Sequence, residues 1–502
     1  MTATHADAGT GVRPVPQRAI TAVAWFAVAI VLLYQALAAS DRPTRAVVWG
    51  GLALASYAFG FLCLVGLGQG VGAGLSRWRF GPWILVWYGA AYGLATVTWS
   101  QPRTGTTVAL ITLSSVLRAL WLVAAGMTAW MLGYCVGPGW LARRSAARGV
   151  AALGRRFVAE VRSPAAPWIL YAIGSVARVA SAATTGRFGF VGDTASAVST
   201  ATGYGQILNV LGFCAPFAVA AAAVQVFRER LTSARITLAV LFIAELAVGA
   251  ASGDKVNFLN AVLAVSIPYS AARHRLPKAA MIATAAAFLV VVVPFTAAYR
   301  SVVHGGPAVL TSTQAVNAAP EVLRQTVTVH GIITTVPHSV DYLLERIQEI
   351  DSPAIILQRT PDQIGFLNPV QLVEIPLTGF VPRAVWPGKP IQLPMYEVSQ
   401  EYYEQPATVY TAASITPVGD LYRYGGWIPV IVGMFLLGCG VRLLDDVLDA
   451  RANPHVILLM LLLFPSVVVA ESGWAAILSG IPLTVLIWLL SVALTFRARR
   501  ST

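Results

Sequence analysis

Residues 19–39 read AITAVAWFAVAIVLLYQALAA and contain no charged side chain. A helix needs about 20 mostly apolar residues to cross the hydrocarbon core of a bilayer. Only helices and closed barrels satisfy their backbone hydrogen bonds in lipid. We therefore predict an all-α polytopic membrane protein with about 12 transmembrane helices. The eleven further segments are 46–67, 82–99, 110–136, 165–184, 204–227, 235–251, 256–272, 278–298, 426–444, 455–471 and 473–495.

The composition of the whole chain excludes several other classes of protein. Of 502 residues, 57% are hydrophobic and 11% are charged, whereas about 25% of the residues in soluble domains are charged. So few charges cannot solvate the surface of a soluble protein of this hydrophobicity. A soluble enzyme and a disordered protein are thereby excluded. The four cysteines lie in or beside the predicted spans, so a disulfide scaffold is not expected either.

The net charge of +13 follows from where the basic residues lie. One set of alternate loops holds 21 of the 35 Lys and Arg residues, and the short loops of the other set hold 5. Short basic loops stay in the cytoplasm during insertion. We therefore predict a multi-pass protein of the cytoplasmic (inner) membrane with both termini in the cytoplasm. The basic loops then contact anionic lipid, and nucleic acid is not an expected partner.

This topology divides the chain into three parts. Residues 1–298 form a bundle of nine spans, residues 299–425 form a large extracytoplasmic cap, and residues 426–502 form three more spans and a cytoplasmic tail. A segment as long as the cap is usually functional when it joins two spans.

The cap itself changes character along its length. We predict a helix over 321–334 with Pro320 as its first residue, and an amphipathic helix over 338–350. Residues 353–425 are rich in proline and aromatic residues and have weak periodicity. They predict an ordered coil with short helices that covers the outer face of the bundle.

Several ionisable residues fall inside the predicted spans or at their ends. Charges in hydrocarbon are costly and usually functional. As a group on the outer side, they indicate a polar cavity that opens outward. The alternative is an Arg–Glu pair that fixes helix packing, or side chains that snorkel to the interface. The residues are Arg118, Arg178, Glu245, Asp254, Lys255 and Glu471.

The first of two dense motifs in the cap is PRAVWPGKP at 382–390. Its prolines stiffen a loop that presents Arg383 and Lys389. A guanidinium and an ammonium group at this spacing suit a phosphate or pyrophosphate ligand. The same cations could instead pair with Glu374 or Glu397.

The second motif is TPVGDLYRYGG at 416–426, which leads directly into a span. It places a carboxylate, two phenols and a guanidinium at the membrane surface. Four tyrosines lie between the motifs and suit either sugar stacking or an interfacial aromatic belt. They are Tyr396, Tyr402, Tyr403 and Tyr410.

These motifs resemble those of the Wzy-type polymerases, also called O-antigen or oligosaccharide repeat unit polymerases. That family also has a large extracytoplasmic loop before its last few spans. Lys255 stands where the family has an arginine, and Asp420 stands where a glutamate is common. The stretches that carry the resemblance are SGDKVNFLN at 252–260, PRAVWPGKP, TPVGDLYRYGG and, as a weaker echo, GRFGF at 186–190.

The resemblance implies a membrane glycosyltransferase that polymerises undecaprenyl-pyrophosphate-linked oligosaccharide repeat units into surface polysaccharide. In this reaction a hydroxyl of one repeat unit attacks the anomeric carbon of the donor glycan, and the lipid pyrophosphate leaves. Cations stabilise such a leaving group. Arg383 is the catalytic candidate, and the other cations expected on the outer side are Lys389, Lys255, Arg187 and Arg300.

A general base near the attacking hydroxyl would complete the implied mechanism. Asp420 is the first candidate and Asp254 the second, with Tyr422 and Arg423 as substrate-binding neighbours. No cofactor or metal is expected. The expected partners are the lipid-linked donor and acceptor and membrane lipid, with a chain-length regulator and a flippase as further candidates. Alternative bases are the outer histidines, His304, His330 and His338.

Other functions remain open on the sequence alone. A ligase that moves finished glycan onto an acceptor shares the same features. C-type polyprenyl-phosphate sugar transferases usually carry paired acids in the first outside loop, where this chain has only Asp41. A transporter would also fit twelve spans, but carriers usually show repeated halves and charges at the midplane. A structural or scaffold role is also compatible with the sequence.

Overall fold

Helices make up most of the described chain, together with one two-stranded sheet. The structure is a computed structural model. It describes residues 15–39, 41–65, 71–100, 110–185, 188, 203–252, 255–304, 312–326, 343–345, 347–379, 381, 386, 394–406, 413–469, 471 and 473–498.

The described residues of the first half of the chain form nine α-helices and one strand. The fourth helix continues into a π turn at Gly89–Gly93 and a 3-10 stretch at Leu94–Ser100, so the predicted span over 82–99 is broken. The elements are α1 (Val15–Ala38), α2 (Pro43–Val65), α3 (Val71–Ser76), α4 (Phe80–Tyr88), α5 (Leu113–Val136), α6 (Trp140–Arg156), β1 (Phe157–Val161), α7 (Ala166–Thr185), α8 (Gly203–Gly212) and α9 (Cys214–Phe227).

Twelve more helices and the partner strand lie in the described part of the second half. A π turn at Phe288–Val292 joins the third and fourth of these helices. The elements are α10 (Ala234–Ser252), α11 (Lys255–Arg273), α12 (Lys278–Ala287), α13 (Val293–His304), α14 (Ser312–Thr326), α15 (Asp351–Arg359), α16 (Gln371–Gly379), α17 (Pro394–Glu401), α18 (Pro417–Tyr422), α19 (Trp427–Val447), α20 (Val456–Val468), α21 (Trp474–Thr495) and β2 (Phe496–Ala498).

Eight described helices are long and apolar enough to cross a membrane. The protein is therefore a polytopic helical membrane protein. Helices also occupy the other four predicted positions, but one is broken as described and α20 has only 13 residues. Twelve crossings thus remain a prediction. The eight are Gln17–Ala38, Pro43–Val65, Leu113–Val136, Ala166–Thr184, Ile207–Phe227, Ala234–Ser252, Lys278–Thr296 and Trp427–Val447.

Close helix packing in the bundle depends on glycine where α5 crosses α19. A methyl group built on Gly133 would overlap the carbonyl oxygen of Phe435, and one built on Gly438 would overlap that of Trp130. Lipid tails are as apolar as the helices, so association in a bilayer relies on tight van der Waals contact, which small residues permit. These two glycines let the α5 and α19 backbones touch.

One end of the bundle gathers the basic loops, and we call it the basic end. It comprises residues 77–81, 140–163, 228–235, 273–278, 442–455 and 495–498. Hydrogen bonds join these segments: Phe80 N to Asp445 Oδ1 at 2.6 Å, Val161 N to Glu229 Oε1 at 2.7 Å, and Arg162 N to Thr495 O at 2.8 Å. Trp78 Nε1 also donates to Ser270 Oγ on α11 at 3.0 Å. Strand β1 pairs antiparallel with β2 at the same end, with Phe157 opposite Ala498.

The opposite end, which we call the cap end, gathers most of the described cap. It comprises residues 91–100, 110–112, 347–379, 394–406, 413–426 and 471–474. Thr98 Oγ1 donates to Gln348 Oε1 at 2.7 Å, Gln358 Nε2 donates to Leu110 O at 2.8 Å, and Ile415 N donates to Glu471 O at 3.3 Å. These contacts tie the cap to the loops between the helices.

The first cap helix differs from its prediction. Helix α14 begins at Ser312, so Pro320 lies inside the helix instead of at its first position. Pro320 is exposed, and an interior proline costs the helix one backbone hydrogen bond. Of the predicted helix 338–350, residues 343–345 and 347 are helical, and 338–342 lie outside the described residues. The four short helices α15 to α18 match the expected coil with short helices.

Candidate functional site

Asp420 lies in a buried helical turn at the cap end. Thr416 caps α18, since its Oγ1 accepts a hydrogen bond from Gly419 N at 3.3 Å, and Pro417 follows in the first turn, where its missing N–H costs nothing. The turn buries every residue from Pro417 to Tyr422, and Asp420 is only 1% exposed. A carboxylate at this depth is costly unless its surroundings favour the charge.

Two helix N-termini provide such surroundings. Asp420 belongs to the first turn of α18, and its side chain also lies against Gly473, the residue that caps α21. A methyl group built on Gly473 would overlap the Asp420 carboxylate. The positive end of a helix dipole stabilises a nearby anion. The glycine therefore lets the Asp420 carboxylate approach the start of a 22-residue helix.

Arg423 is the buried cation of the same turn. Its side chain is 2% exposed, and its Nη1 lies 3.7 Å from Asp420 Oδ1. Its Nε and Nη1 have no hydrogen-bond partner among the residues that the structure describes. Hydrogen bonds of this type measure about 2.7–3.2 Å, so the two charges attract each other without a direct bond. Arg423 thus keeps donor capacity for another group.

Two glutamates on α17 surround Arg423 from the solvent side. Arg423 Nη2 lies 3.9 Å from Glu397 Oε2 and 4.0 Å from Glu401 Oε2. The two acids are four residues apart on one helix face, and their side chains are 53% and 52% exposed. The Tyr402 ring packs against the guanidinium, and Arg423 Cζ lies 5.6 Å from the centroid of that ring. Three carboxylates therefore face one buried guanidinium.

A second buried acid, Glu349, lies in the adjoining layer of the cap end. It is 3% exposed and accepts a short hydrogen bond from Ser414 Oγ. Its backbone N–H donates to Ala91 O at 3.2 Å, which fixes it against the π turn. Burial raises the pKa of the nearby Tyr403 phenol well above its usual range, and the negative charges of Asp351 and Glu349 add to this. Tyr403 is therefore a neutral donor at physiological pH.

Tyr422 forms the side of the site that faces α5. Its ring lies 6.2 Å from that of Phe366. Burial raises the pKa of its phenol, and the nearby Arg118 opposes this rise. Arg118 is exposed and donates to Ser115 Oγ at 3.2 Å. One of the predicted in-membrane charges thus lies beside the candidate site.

Three of the predicted site residues come together here: Asp420, Tyr422 and Arg423. The structure does not test the others. Arg187, Asp254, Arg383 and Lys389 lie outside the described residues, as do His330 and His338. Lys255, Arg300 and His304 are described only as parts of helices α11 and α13. The convergence of Lys255 and Arg383 on Asp420 therefore remains a prediction.

The Arg178–Glu245 pair follows the structural alternative. Arg178 on α7 donates to both oxygens of Glu245 on α10, at 2.7 and 3.2 Å, and Glu245 is fully buried. Such a bidentate pair satisfies both charges within the bundle. These two residues therefore fix helix packing. The prediction that they line an open polar cavity is wrong for this pair.

Two of the four tyrosines considered for sugar stacking are buried. Tyr402 is 1% exposed and exchanges a hydrogen bond of 2.7 Å with Thr360 Oγ1, and Tyr403 is 8% exposed. Their ring faces are covered by protein, so neither stacks on a sugar in this arrangement. Tyr410 lies outside the described residues.

Glu349, Glu401 and Gly473 are site residues that sequence reasoning missed. Glu349 falls on the polar side of a predicted amphipathic helix, where solvent exposure is the usual outcome. The sequence suggests Glu397 only as a possible partner for the two cations of the PRAVWPGKP motif. The spacing of Glu397 and Glu401 is the one local signal that could have marked them as a pair.

The arrangement can hold a negative charge and offer a cation beside it. An ionised Asp420 can accept a proton from a hydroxyl group. Arg423 can donate to an oxygen atom of a bound molecule through its two unbonded nitrogens. The described residues contain no group of three or more His, Cys, Asp or Glu side chains arranged to hold a metal ion.

Fold and site together define a polytopic helical membrane protein with a buried acid–arginine site at one end. A family model described as "Domain of unknown function (DUF8712)" matches residues 188–449, more than half of the chain. The chain belongs to this family, and the match includes the whole of α18. A search of the curated proteins and a search of the solved structures each found no match.

Proposed function

We propose that this protein is a glycosyltransferase of the Wzy type, which polymerises undecaprenyl-pyrophosphate-linked repeat units on the outer face of the cytoplasmic membrane. The observation that carries the proposal is the buried Asp420–Arg423 pair at the cap end, within the motif that resembles that family. Sugar transfer from a lipid pyrophosphate needs a base and a cation site, and the sequence offers both kinds of group, here and in the PRAVWPGKP motif.

Asp420 is assigned the role of general base. An acceptor hydroxyl gives its proton to the carboxylate while its oxygen forms a bond to the anomeric carbon of the donor. The bond from that carbon to the pyrophosphate oxygen breaks, and the lipid pyrophosphate leaves with the electron pair. The N-terminus of α21 at Gly473 and the guanidinium of Arg423 place positive potential beside this carboxylate.

Arg423 belongs to the acceptor side of the reaction. In a direct displacement the attacking and leaving oxygens lie on opposite faces of the anomeric carbon. We assign the cation 3.7 Å from the base to the side of the attacking oxygen. Arg423 then orients Asp420 and binds the acceptor. The leaving pyrophosphate is bound by Arg383 and Lys389, and further candidates for this role are Lys255, Arg187 and Arg300.

Gene deletion tests the proposal in the native host. We expect single lipid-linked repeat units to accumulate and long surface polysaccharide to disappear, as seen by gel sizing and mass spectrometry. Loss of a ligase would instead leave long polymer on the lipid carrier. Loss of a transporter would leave the polymerisation reaction itself unchanged. Unchanged polymer length without accumulated single repeats would overturn the proposal.

A further inference from the structure

A cleft of about 900 Å³ lies between α10, α11 and α12 near the basic end. Its walls include Phe242 on α10, Val262 and Val265 on α11, and Thr284 on α12. Most of the lining atoms are carbon. Apolar cavities of this kind do not hold water well, and in a bilayer a gap between helices is open to lipid tails.

The depth of the cleft matches one leaflet. Val262 lies 11 residues from Arg273 along α11, which is about 16 Å at the helical rise of 1.5 Å per residue. Half of the roughly 30 Å hydrocarbon core is about 15 Å. A cleft that runs from Val262 to the basic end therefore has the length of an acyl chain in the adjacent leaflet.

The mouth of the cleft carries two cations. Arg275 and Lys278 line it, and both are exposed in the turn between α11 and α12. Neither makes an ion pair among the described residues, and the sequence has no Asp or Glu from residue 255 to residue 320. An anionic headgroup at this level would meet an uncompensated positive charge. Basic pockets between helices at this depth suit anionic phospholipid headgroups.

The wall formed by α12 is loosely packed. Helix α12 and the π turn after it bury no residue, whereas α13 buries Phe295, Tyr299 and Val303 against α14 and α10. The chain is thus packed against protein beyond the π turn, whereas α12 beside the cleft buries no residue. A ligand in the cleft would fill the space that protein side chains leave open.

We propose that this cleft binds one anionic phospholipid of the adjacent leaflet. Its phosphate lies between Arg275 and Lys278, and an acyl chain runs between α11 and α12 toward Val262. The bound lipid supports α12 against the bundle. The proposal rests on the cleft alone and does not depend on the proposed enzymatic function.

The test is a lipid titration of the purified, delipidated protein, followed by native mass spectrometry. Phosphatidylglycerol should bind at one molecule per chain, and phosphatidylcholine with the same chains should bind far more weakly. The double variant R275Q/K278Q should bind phosphatidylglycerol about thirtyfold more weakly, since each basic residue near anionic lipid contributes a factor of roughly five.

Two further variants distinguish lipid binding in the cleft from general attraction of lipid to surface charge. R148Q/R155Q removes the same charge from exposed positions of α6 outside the cleft and should bind like the wild type. Thr284→Phe keeps both cations, fills the cleft and should also lose binding. Equal binding of both lipids, wild-type binding by R275Q/K278Q or Thr284→Phe, or a polyprenyl phosphate in the cleft of protein taken from membranes would each overturn the proposal.

Discussion

At the scale of single residues, the site is defined by charges that are close to one another but not bonded. Arg423 faces Asp420, Glu397 and Glu401 at 3.7–4.0 Å, and its Nε and Nη1 form no hydrogen bond with the part of the chain that the structure describes. A buried cation is normally satisfied by the protein itself, as Arg178 is by Glu245. Arg178 therefore belongs to a structural ion pair, whereas Arg423 has N–H groups that can bind another molecule.

Replacing Asp420 by asparagine tests the proposed base. Asn has nearly the same shape but cannot accept the proton, so we expect the polymerisation rate of the purified protein to fall by about 10²- to 10⁴-fold. Asp420→Glu should keep part of the activity, because glutamate is common at this position in the family that the motif resembles. The exposed Asp41→Asn, in the loop between α1 and α2, is the matched control and should retain the wild-type rate. Undiminished turnover in Asp420→Asn would remove it as the base.

Arg423→Ala tests the balance of charge in the site. Three carboxylates would then face each other without a cation, and we expect the free energy of unfolding to fall by roughly 3 kcal/mol. Adding Glu397→Gln and Glu401→Gln should restore part of the loss. Arg324→Ala breaks an exposed pair with Glu321 and serves as the control, with a much smaller loss because solvent screens such a pair. Thermal unfolding in detergent gives the ranking, and equal losses for the two arginines would contradict it.

Sequence reasoning found part of this site. Asp420, Tyr422 and Arg423 were accessible because they lie within one short motif, and local spacing is visible in a sequence. Glu349 and Gly473 join them from 71 and 53 residues away, and nothing in their own neighbourhoods shows that contact. The burial of Tyr402 and Tyr403 was missed for the same reason, since covering elements are set by tertiary packing.

At the scale of elements, apolar runs predicted helix positions well and helix continuity poorly. A run such as 19–39 forms a helix because lipid leaves its backbone no alternative. The break after Tyr88 arises where Gly89 and Gly93 press against α2, with a methyl group on Gly93 placed only 2.8 Å from Ala55 N. Pro320 likewise suggested a helix start, but the preceding residues already support a helix that packs against α13.

Paired glycine substitutions in α19 test the packing of that helix. A methyl group on Gly438 meets the backbone of Trp130, so Gly438→Ala should force α5 and α19 apart and cost about 1–3 kcal/mol. Gly440 is two residues further along the same helix and has open space around it. Gly440→Ala should therefore leave the melting temperature unchanged or slightly higher. The idea fails if both variants melt alike.

At the scale of the whole molecule, the polar groups separate into two layers with an apolar bundle between them. The basic end is tied together through Asp445, Glu229 and the β1–β2 sheet, and the cap end through Gln348, Gln358 and the α18 turn. The composition predicted this class of protein directly. The number of crossings is harder to predict, because a 13-residue helix such as α20 can pack inside protein without spanning lipid.

Cysteine labelling tests which end faces the cytoplasm. The distribution of basic residues predicts that the basic end is cytoplasmic. With the four native cysteines replaced by alanine, a membrane-impermeant maleimide should label Asp362→Cys at the cap end of intact cells. It should label Ser145→Cys on α6 only after the cells are permeabilised. The reverse pattern would invert the topology and place the candidate site in the cytoplasm.

The pairing of β1 with β2 has a consequence for how the chain is made. Phe496 leaves the ribosome 335 residues after Val161, a delay of roughly 17 to 67 s at ordinary rates of synthesis. During that interval Val161 N can be satisfied by Glu229, which follows 68 residues later, and by water. Closure of the sheet is therefore a late event in biogenesis, and it joins the strand after α21 to a strand made 335 residues earlier.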